Sequence, residues 1–216
     1  MRINQVKSAQ KDTGRNCLGC GKPVVKGEAY QWFAPFRASK RVRHLTCGSF
    51  KASETASNDK LSALYEAIES AEDAIAQLDV DFSRDDAQQI LDDCADAIDE
   101  VAEQYEESAS NIEDGFGHET ELSAQMNDNA EQLRDFASTV RDALDDVDEF
   151  DEQSAIDEFV ESIEDDDEYS LDRFDSIEKQ AQFINEKRDD YVAEKCGENS
   201  DAMRGAMNDA IAECPL

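Results

Sequence analysis

Between Pro35 and Pro215 the chain contains no proline, and beyond Gly48 only Gly115, Gly117, Gly197 and Gly205 relieve the backbone. Proline removes an amide donor and clashes with the preceding helical turn, and glycine weakens a helix through lost entropy. Scarcity of both over so long a run favours helix. The apolar spacing agrees. Leu61, Leu64, Ile68, Ala71, Ile75 and Leu78 step alternately by three and four residues, as do Ala87, Leu91, Cys94, Ile98, Val101, Tyr105 and Ser108. Leu122, Met126, Asn129, Leu133, Phe136, Val140 and Leu144 keep nearly the same rhythm. These are heptad seams with charges on the outer positions. Ser83 with Asp86 reads as a capping box, and Gly115-Phe116-Gly117 breaks the pattern before the third seam. Short connections predict antiparallel packing over residues 59–147, as a helical hairpin, bundle or coiled coil.

Residues 148–216 read as a helical tail. Phe150, Ile156, Phe159, Val160 and Ile163 mark a short amphipathic helix. Leu171, Phe174, Ile177, Ala181, Ile184 and Tyr191 give another, and Met203, Met207, Ala210 and Ile211 a last short one. Between them the acids 164–168 form a solvated connection, without the spaced oxygens and turn glycine of a calcium loop.

Charge divides the chain. The total of 53 acids against 21 bases gives a net of -32, yet residues 1–51 hold eleven bases and only two acids, Asp12 and Glu28. A reversal of that size between two parts of one chain points to modules with different partners, or modules that hold each other. Residues 52–58, small and polar, read as a linker, with Ser53, Ser57 and Asn58 able to cap the first helix of the body. No stretch approaches the length of a membrane span, and residues 1–10 lack a signal-peptide core, so the expectation is an intracellular protein without membrane contact.

The basic segment carries the one motif with specific chemistry: Cys17-Leu18-Gly19-Cys20, followed by His44-Leu45-Thr46-Cys47. Two-residue spacers let paired side chains reach one ion from a tight turn, and Gly19 and Gly21 suit such a turn. Three thiolates and an imidazole close a tetrahedral shell, which argues for structural Zn2+. About fifty residues bury little, so metal must supply much of the stability. Val24 to Phe36 is rich in β-formers and Arg41 to Leu45 suits a short strand. The fold class expected is mainly α: a small treble-clef-like zinc finger, residues 1–51, followed by the acidic antiparallel bundle or coiled coil. Cys94 reads as a core thiol, and Cys196 and Cys214 do not read as a metal pair. His118 reads as a local hydrogen-bonding residue at a helix start.

Two surfaces are candidates for binding. Arg37, Lys40, Arg41 and Arg43 lie beside Trp32, Tyr30, Phe33 and Phe36, a mixture of bases and aromatics that suits phosphate contact and base stacking. The same arginines equally suit docking against an acidic protein surface, and one or two of the aromatics must fill the small core. On the acidic body, Asp92, Asp93, Asp96, Asp99, Glu100, Glu103, Glu106 and Glu107 fall along one helix.

The paired motif Cys17-x2-Cys20 and His44-x2-Cys47, the strand Tyr30-Gln31-Trp32-Phe33 and the helix start Ser57-Asn58-Asp59-Lys60-Leu61 resemble a group of bacteriophage-encoded proteins. Those proteins join a short zinc-finger-like head to an acidic helical or coiled-coil body. The similarity runs from about Cys17 to Val147 and includes Gly115-Phe116-Gly117. It implies a phage origin, a host-cytoplasmic setting and this architecture, but no activity.

Function is expected to be non-enzymatic, since the carboxylates fall at solvent-facing helix positions and no nucleophile–histidine pair or phosphate-binding glycine loop is evident. The favoured expectation is an interaction protein whose acidic helix engages a basic surface on a protein partner, as a nucleic-acid mimic. Its carboxylates recur at a spacing comparable to that of phosphates. The alternative is a zinc-finger regulator that binds nucleic acid through its head and recruits protein through its body. A third reading makes the acidity a solvation device for a saline habitat. Self-association through the heptad seams is open to any of the three.

Overall fold

In the computed structural model the described residues are 2–35, 39–163, 167–170 and 173–216. Phe36, Arg37, Glu164, Asp165, Asp166 and Leu171 lie outside them. The chain divides into two units, residues 1–69 and 70–216.

The first unit is built on three antiparallel strands in the order β1 (Asn4–Val6), β2 (Tyr30–Phe33) and β3 (Arg41–His44). Trp32 pairs with Asn4 on one side and Val42 on the other, and Tyr30 pairs with Val6 and His44. Alternation along β2 then sorts its side chains by face. Gln31 and Phe33 are buried on one face, where Phe33 meets Phe50 edge-on at 4.8 Å. Tyr30 and Trp32 pack from the other face against a small cluster of Cys17, Val24 and Val42. Strand β1 is too short and polar to register as a strand by composition. The segment after it is held by the Ala9 amide, which donates to the Glu28 carbonyl at 2.8 Å, and by the Thr13 amide, which donates to the Val24 carbonyl.

Residues 52–58 contain a turn of helix, α1 (Ala52–Thr55), where composition suggested a plain linker. Glu69 is the reason: its carboxylate accepts from the Ser53 amide at 3.1 Å and from the Ser53 hydroxyl at 2.7 Å, burying that serine. Helix α2 (Asp59–Ile75) starts where Asn58 accepts from the Leu61 amide. It runs across the division between the units.

The second unit is helical. Helices α3 (Arg84–Phe116) and α4 (Glu121–Arg141) form a hairpin. Arg134 pairs with Glu106, while Arg141 pairs with Asp96 and Asp99, so residue numbers fall on one helix as they rise on the other and the pair is antiparallel. Ser83 and Asp86 form the expected capping box. Gly117 ends α3 with φ of 73°, a left-handed conformation that glycine adopts without a Cβ penalty. The α3 seam is buried from Ala87 to Tyr105, and Leu133, Phe136 and Val140 answer it from α4. Leu122 departs from the expected seam and is 53% exposed. Thr120 and Ser123 explain this, because their reciprocal cap starts the helix with Ser123 turned inward and buried.

Helices α5 (Glu152–Ile163) and α6 (Ile177–Ala212) complete the unit. The last two helices expected from sequence are one: α6 runs 36 residues through Gly197 and Gly205. Each glycine costs a helix about 1 kcal/mol, which buried contacts offset where no proline intervenes. Met203, Met207, Ala210 and Ile211, expected as a last short helix, are buried along α6. Phe159 packs against Tyr191 and Tyr169, and Phe183 against Tyr169 and Phe174.

Two arginines close helix ends that lack a glycine cap. Arg204 donates to the carbonyls of Ile75, Leu78 and Asp79 at the end of α2, and Arg84 to those of Leu144 and Val147 beyond α4. The last carbonyls of a helix have no partner within it, and a guanidinium can satisfy several at once. Among the described residues no helix is long and apolar enough to cross a membrane.

Candidate metal centre and charged surfaces

The knuckle forms because the Cys17 amide donates to the Lys22 carbonyl and the Gly21 amide to the Cys17 carbonyl, both at 2.8 Å. Gly21 takes φ of 69°, the conformation that glycine was expected to supply. Gly19 serves differently. A Cβ there would lie 2.9 Å from the Cys47 Cβ, so the position admits no side chain while the second ligand pair closes over it. A bridge between Cys17 and Val42 sets the knuckle against β3. Strand β3 ends at His44, and a single 3-10 turn, Leu45–Cys47, brings Cys47 back to it.

The four expected ligands converge. The Sγ atoms of Cys17, Cys20 and Cys47 and a ring nitrogen of His44 all lie within 4.8 Å of one another, close enough to hold a metal ion. Cys20 Sγ and His44 Nδ1 are 3.4 Å apart. Tetrahedral bonds of the lengths usual for sulfur and imidazole would separate such atoms by about 3.6 Å. The opposite ring nitrogen, Nε2, lies 3.0 Å from Glu28 Oε2. A carboxylate only accepts, so the proton sits on Nε2 and Nδ1 keeps its lone pair for a metal.

Electrostatics within the quartet favour a cation. Burial raises the Cys17 thiol, but backbone N–H groups of His44, Cys20 and Gly19 outweigh it and bring the thiol down to about 6. Cys47 is pushed up, first by burial and then by the neighbouring sulfurs of Cys20 and Cys17. One sulfur is thus drawn towards thiolate while its neighbour resists a second negative charge, a conflict that a bound cation removes. Burial lowers His44, yet its bonds to Cys20, Glu28 and Cys17 leave it raised. Glu28 is held low by the Val25 amide and by His44.

Sequence reasoning did not single out Glu28. Its signal was its rarity, as one of two acids in the basic segment, and both have assigned bonds. Asp12 accepts from the Lys26 amide at 2.8 Å.

The basic residues named in the same segment as the ligand quartet separate into different roles. Arg43 is largely buried and turned inward, donating to the Cys47 carbonyl and pairing with Glu54. Arg41 donates to the Glu54 carbonyl at 2.7 Å. Lys40 is exposed, its ammonium 3.8 Å from the centre of the Trp32 ring. Arg37 lies outside the described residues. A groove beside Trp32 also draws in Lys11 and Arg15, which no motif marked.

The eight α3 acids named from the sequence fall in two rows. Asp92, Asp99 and Glu106, spaced by sevens, are half-buried, and Gln88, Arg141 and Arg134 respectively bond to them. Asp93, Asp96, Glu100, Glu103 and Glu107 are exposed. Within that second row only Asp96 pairs with a cation among the described residues, Arg141, and Asp93 accepts from Gln89.

Cys94 is buried in the α3 seam, and burial first, with the charge of Cys214 second, pushes its thiol up to about 11. His118 is exposed and bonds locally, Nδ1 to the Phe116 carbonyl at 3.0 Å. No family model, curated protein or solved structure matches this chain.

Proposed function

We propose that this is a non-enzymatic interaction protein in which structural zinc organises a treble-clef-like head and the acidic α3–α4 hairpin binds a basic surface on a protein partner. That surface is one built for nucleic acid, and the hairpin occupies it as a mimic. The exposed row on α3 carries the reading. Asp93, Asp96, Glu100, Glu103 and Glu107 alternate by three and four residues, which on a helix makes a straight file of carboxylates about 21 Å long. The file therefore carries a charge about every 5 Å along its axis, within a factor of two of the phosphates of one DNA strand, at about 3.4 Å of helix axis each. The hairpin's arginines, Arg134 and Arg141, reach chiefly the inner row, so the outer file keeps most of its charge. Three sulfurs and one nitrogen leave no open coordination position, which suits a structural zinc rather than a catalytic one. A bacteriophage origin, with a host nucleic-acid enzyme as the partner, rests on the resemblance carried by the Cys17–Cys47 motif and the helical body.

Affinity capture from cell extract tests the proposal, using the full chain beside an Asp93→Asn, Glu100→Gln, Glu103→Gln, Glu107→Gln variant. The expected result is a basic nucleic-acid-handling protein that duplex DNA displaces, that salt releases, and that the variant retains poorly. Equal retention by the variant, or capture indifferent to DNA and salt, would remove the basis for mimicry.

A further inference from the structure

We propose that the groove on the head is a binding site for single-stranded nucleic acid, a role separate from that of the acidic hairpin. Its volume is about 430 Å³, with Tyr30, Trp32 and Val42 along the sheet side and Lys11, Arg15 and Lys40 around it. That size suits one small ligand moiety, here a single nucleotide of a longer strand.

The cations are the decisive observation. In a chain with a net charge of -32, Lys11, Arg15 and Lys40 surround one groove and make no ion pair among the described residues. The one acid on the groove, Asp12, has an oxygen bonded to the Lys26 amide. Arg15 is positioned by donating to the Lys40 carbonyl at 2.6 Å, which links two of the three cations. Positive charge held beside aromatic rings, three cations against the single carboxylate of Asp12, attracts an anion that also carries a flat π-face. The exposed Lys40 ammonium lies over the Trp32 ring, so a phosphate that draws it aside would bare the indole face for a base. Aromatic stacking requires an unpaired base, which selects a single strand over a duplex. An acidic peptide would satisfy the cations but leave Tyr30 and Trp32 without a stacking partner.

Trp32 is the chain's one tryptophan, so its fluorescence reports on this groove directly. Full-length protein is titrated with oligothymidylate of about ten nucleotides, a typical site length for such grooves. A duplex of equal length, thymidine monophosphate and polyglutamate are titrated in parallel. Saturable quenching by the oligonucleotide is expected, with affinity falling as salt rises at a log–log slope of about -2 for three cations. A Lys11→Gln, Lys40→Gln variant alters two exposed side chains and should keep the wild-type circular dichroism. Its affinity should drop on the order of tenfold at about 50 mM salt, with the slope reduced to about -0.7. Absence of saturable quenching would overturn the proposal. So would a folded variant that binds like wild type, or duplex, mononucleotide or polyglutamate binding as tightly as the single strand.

Discussion

Glu28 Oε2 stands 3.0 Å from His44 Nε2, across the imidazole from Cys20 Sγ, which is 3.4 Å from Nδ1. One carboxylate therefore fixes both the ring's orientation and its tautomer, and presents Nδ1 to the sulfurs. Outer partners of this kind usually contribute about 10- to 100-fold to metal affinity. Glu28→Ala should lower zinc affinity by that order in a chelator competition, with the four ligands intact. Unchanged affinity would mean that the imidazole needs no such guide.

Metal removal should act on one unit and spare the other. The buried cluster at the knuckle is only Cys17, Val24 and Val42, with Tyr30, Trp32 and Cys47 packed on it, a small core whose stability a bound metal would supplement. Chelation of the full chain is expected to shift Trp32 emission towards that of exposed indole while the helical circular dichroism persists. Emission that does not move would show a head that folds without metal.

The ligand quartet was legible because two-residue spacers place donors locally, before any tertiary structure is known. Glu28 was not, because it reaches His44 through the strand pairing of Tyr30 with His44. Lys11 and Arg15 were hidden for a similar reason: the N-terminal segment reaches Trp32 only through long-range bonds such as Thr13 to Val24. On α3 the periodicity located the acids, but their division into a half-buried and an exposed row follows from packing against α4, whose Arg134 and Arg141 pair with Glu106 and Asp99 of the inner row. The continuity of α6 was obscured by Gly197 and Gly205, whose local cost is outweighed by burial of Met203 and Met207.

Leu122 and Leu133 occupy the same sequence-level seam but not the same environment. Leu133 is fully buried, whereas Leu122 is 53% exposed in the first turn of α4. Leu133→Ala should destabilise the second unit by about 2–5 kcal/mol. Leu122→Ala should change it by no more than about 0.5 kcal/mol. Urea unfolding followed by helical circular dichroism distinguishes them, and equal losses would restore the uninterrupted heptad seam in place of the capped start at Thr120.

Acidification should weaken the start of α3 through Asp86. Its carboxyl is held below the usual range by the Ser83 hydroxyl, at 2.6 Å, and by the Ser83 amide. A carboxyl lowered on folding stabilises the folded state fully above its unfolded pKa of about 3.9, and that contribution fades as pH falls through the lower folded value. Ser83 also accepts from the Asp86 amide at 3.1 Å, a bond that survives protonation. At pH 7 Ser83→Ala should therefore cost about 1 kcal/mol, the usual loss for an N-cap. The gap in urea midpoint between variant and wild type should narrow below the carboxylate range without closing, since the amide bond remains. Comparison with wild type at each pH cancels the titration of the many other acids. A gap that stays constant, or widens on acidification, would show that the Asp86 charge takes no part in holding the helix start.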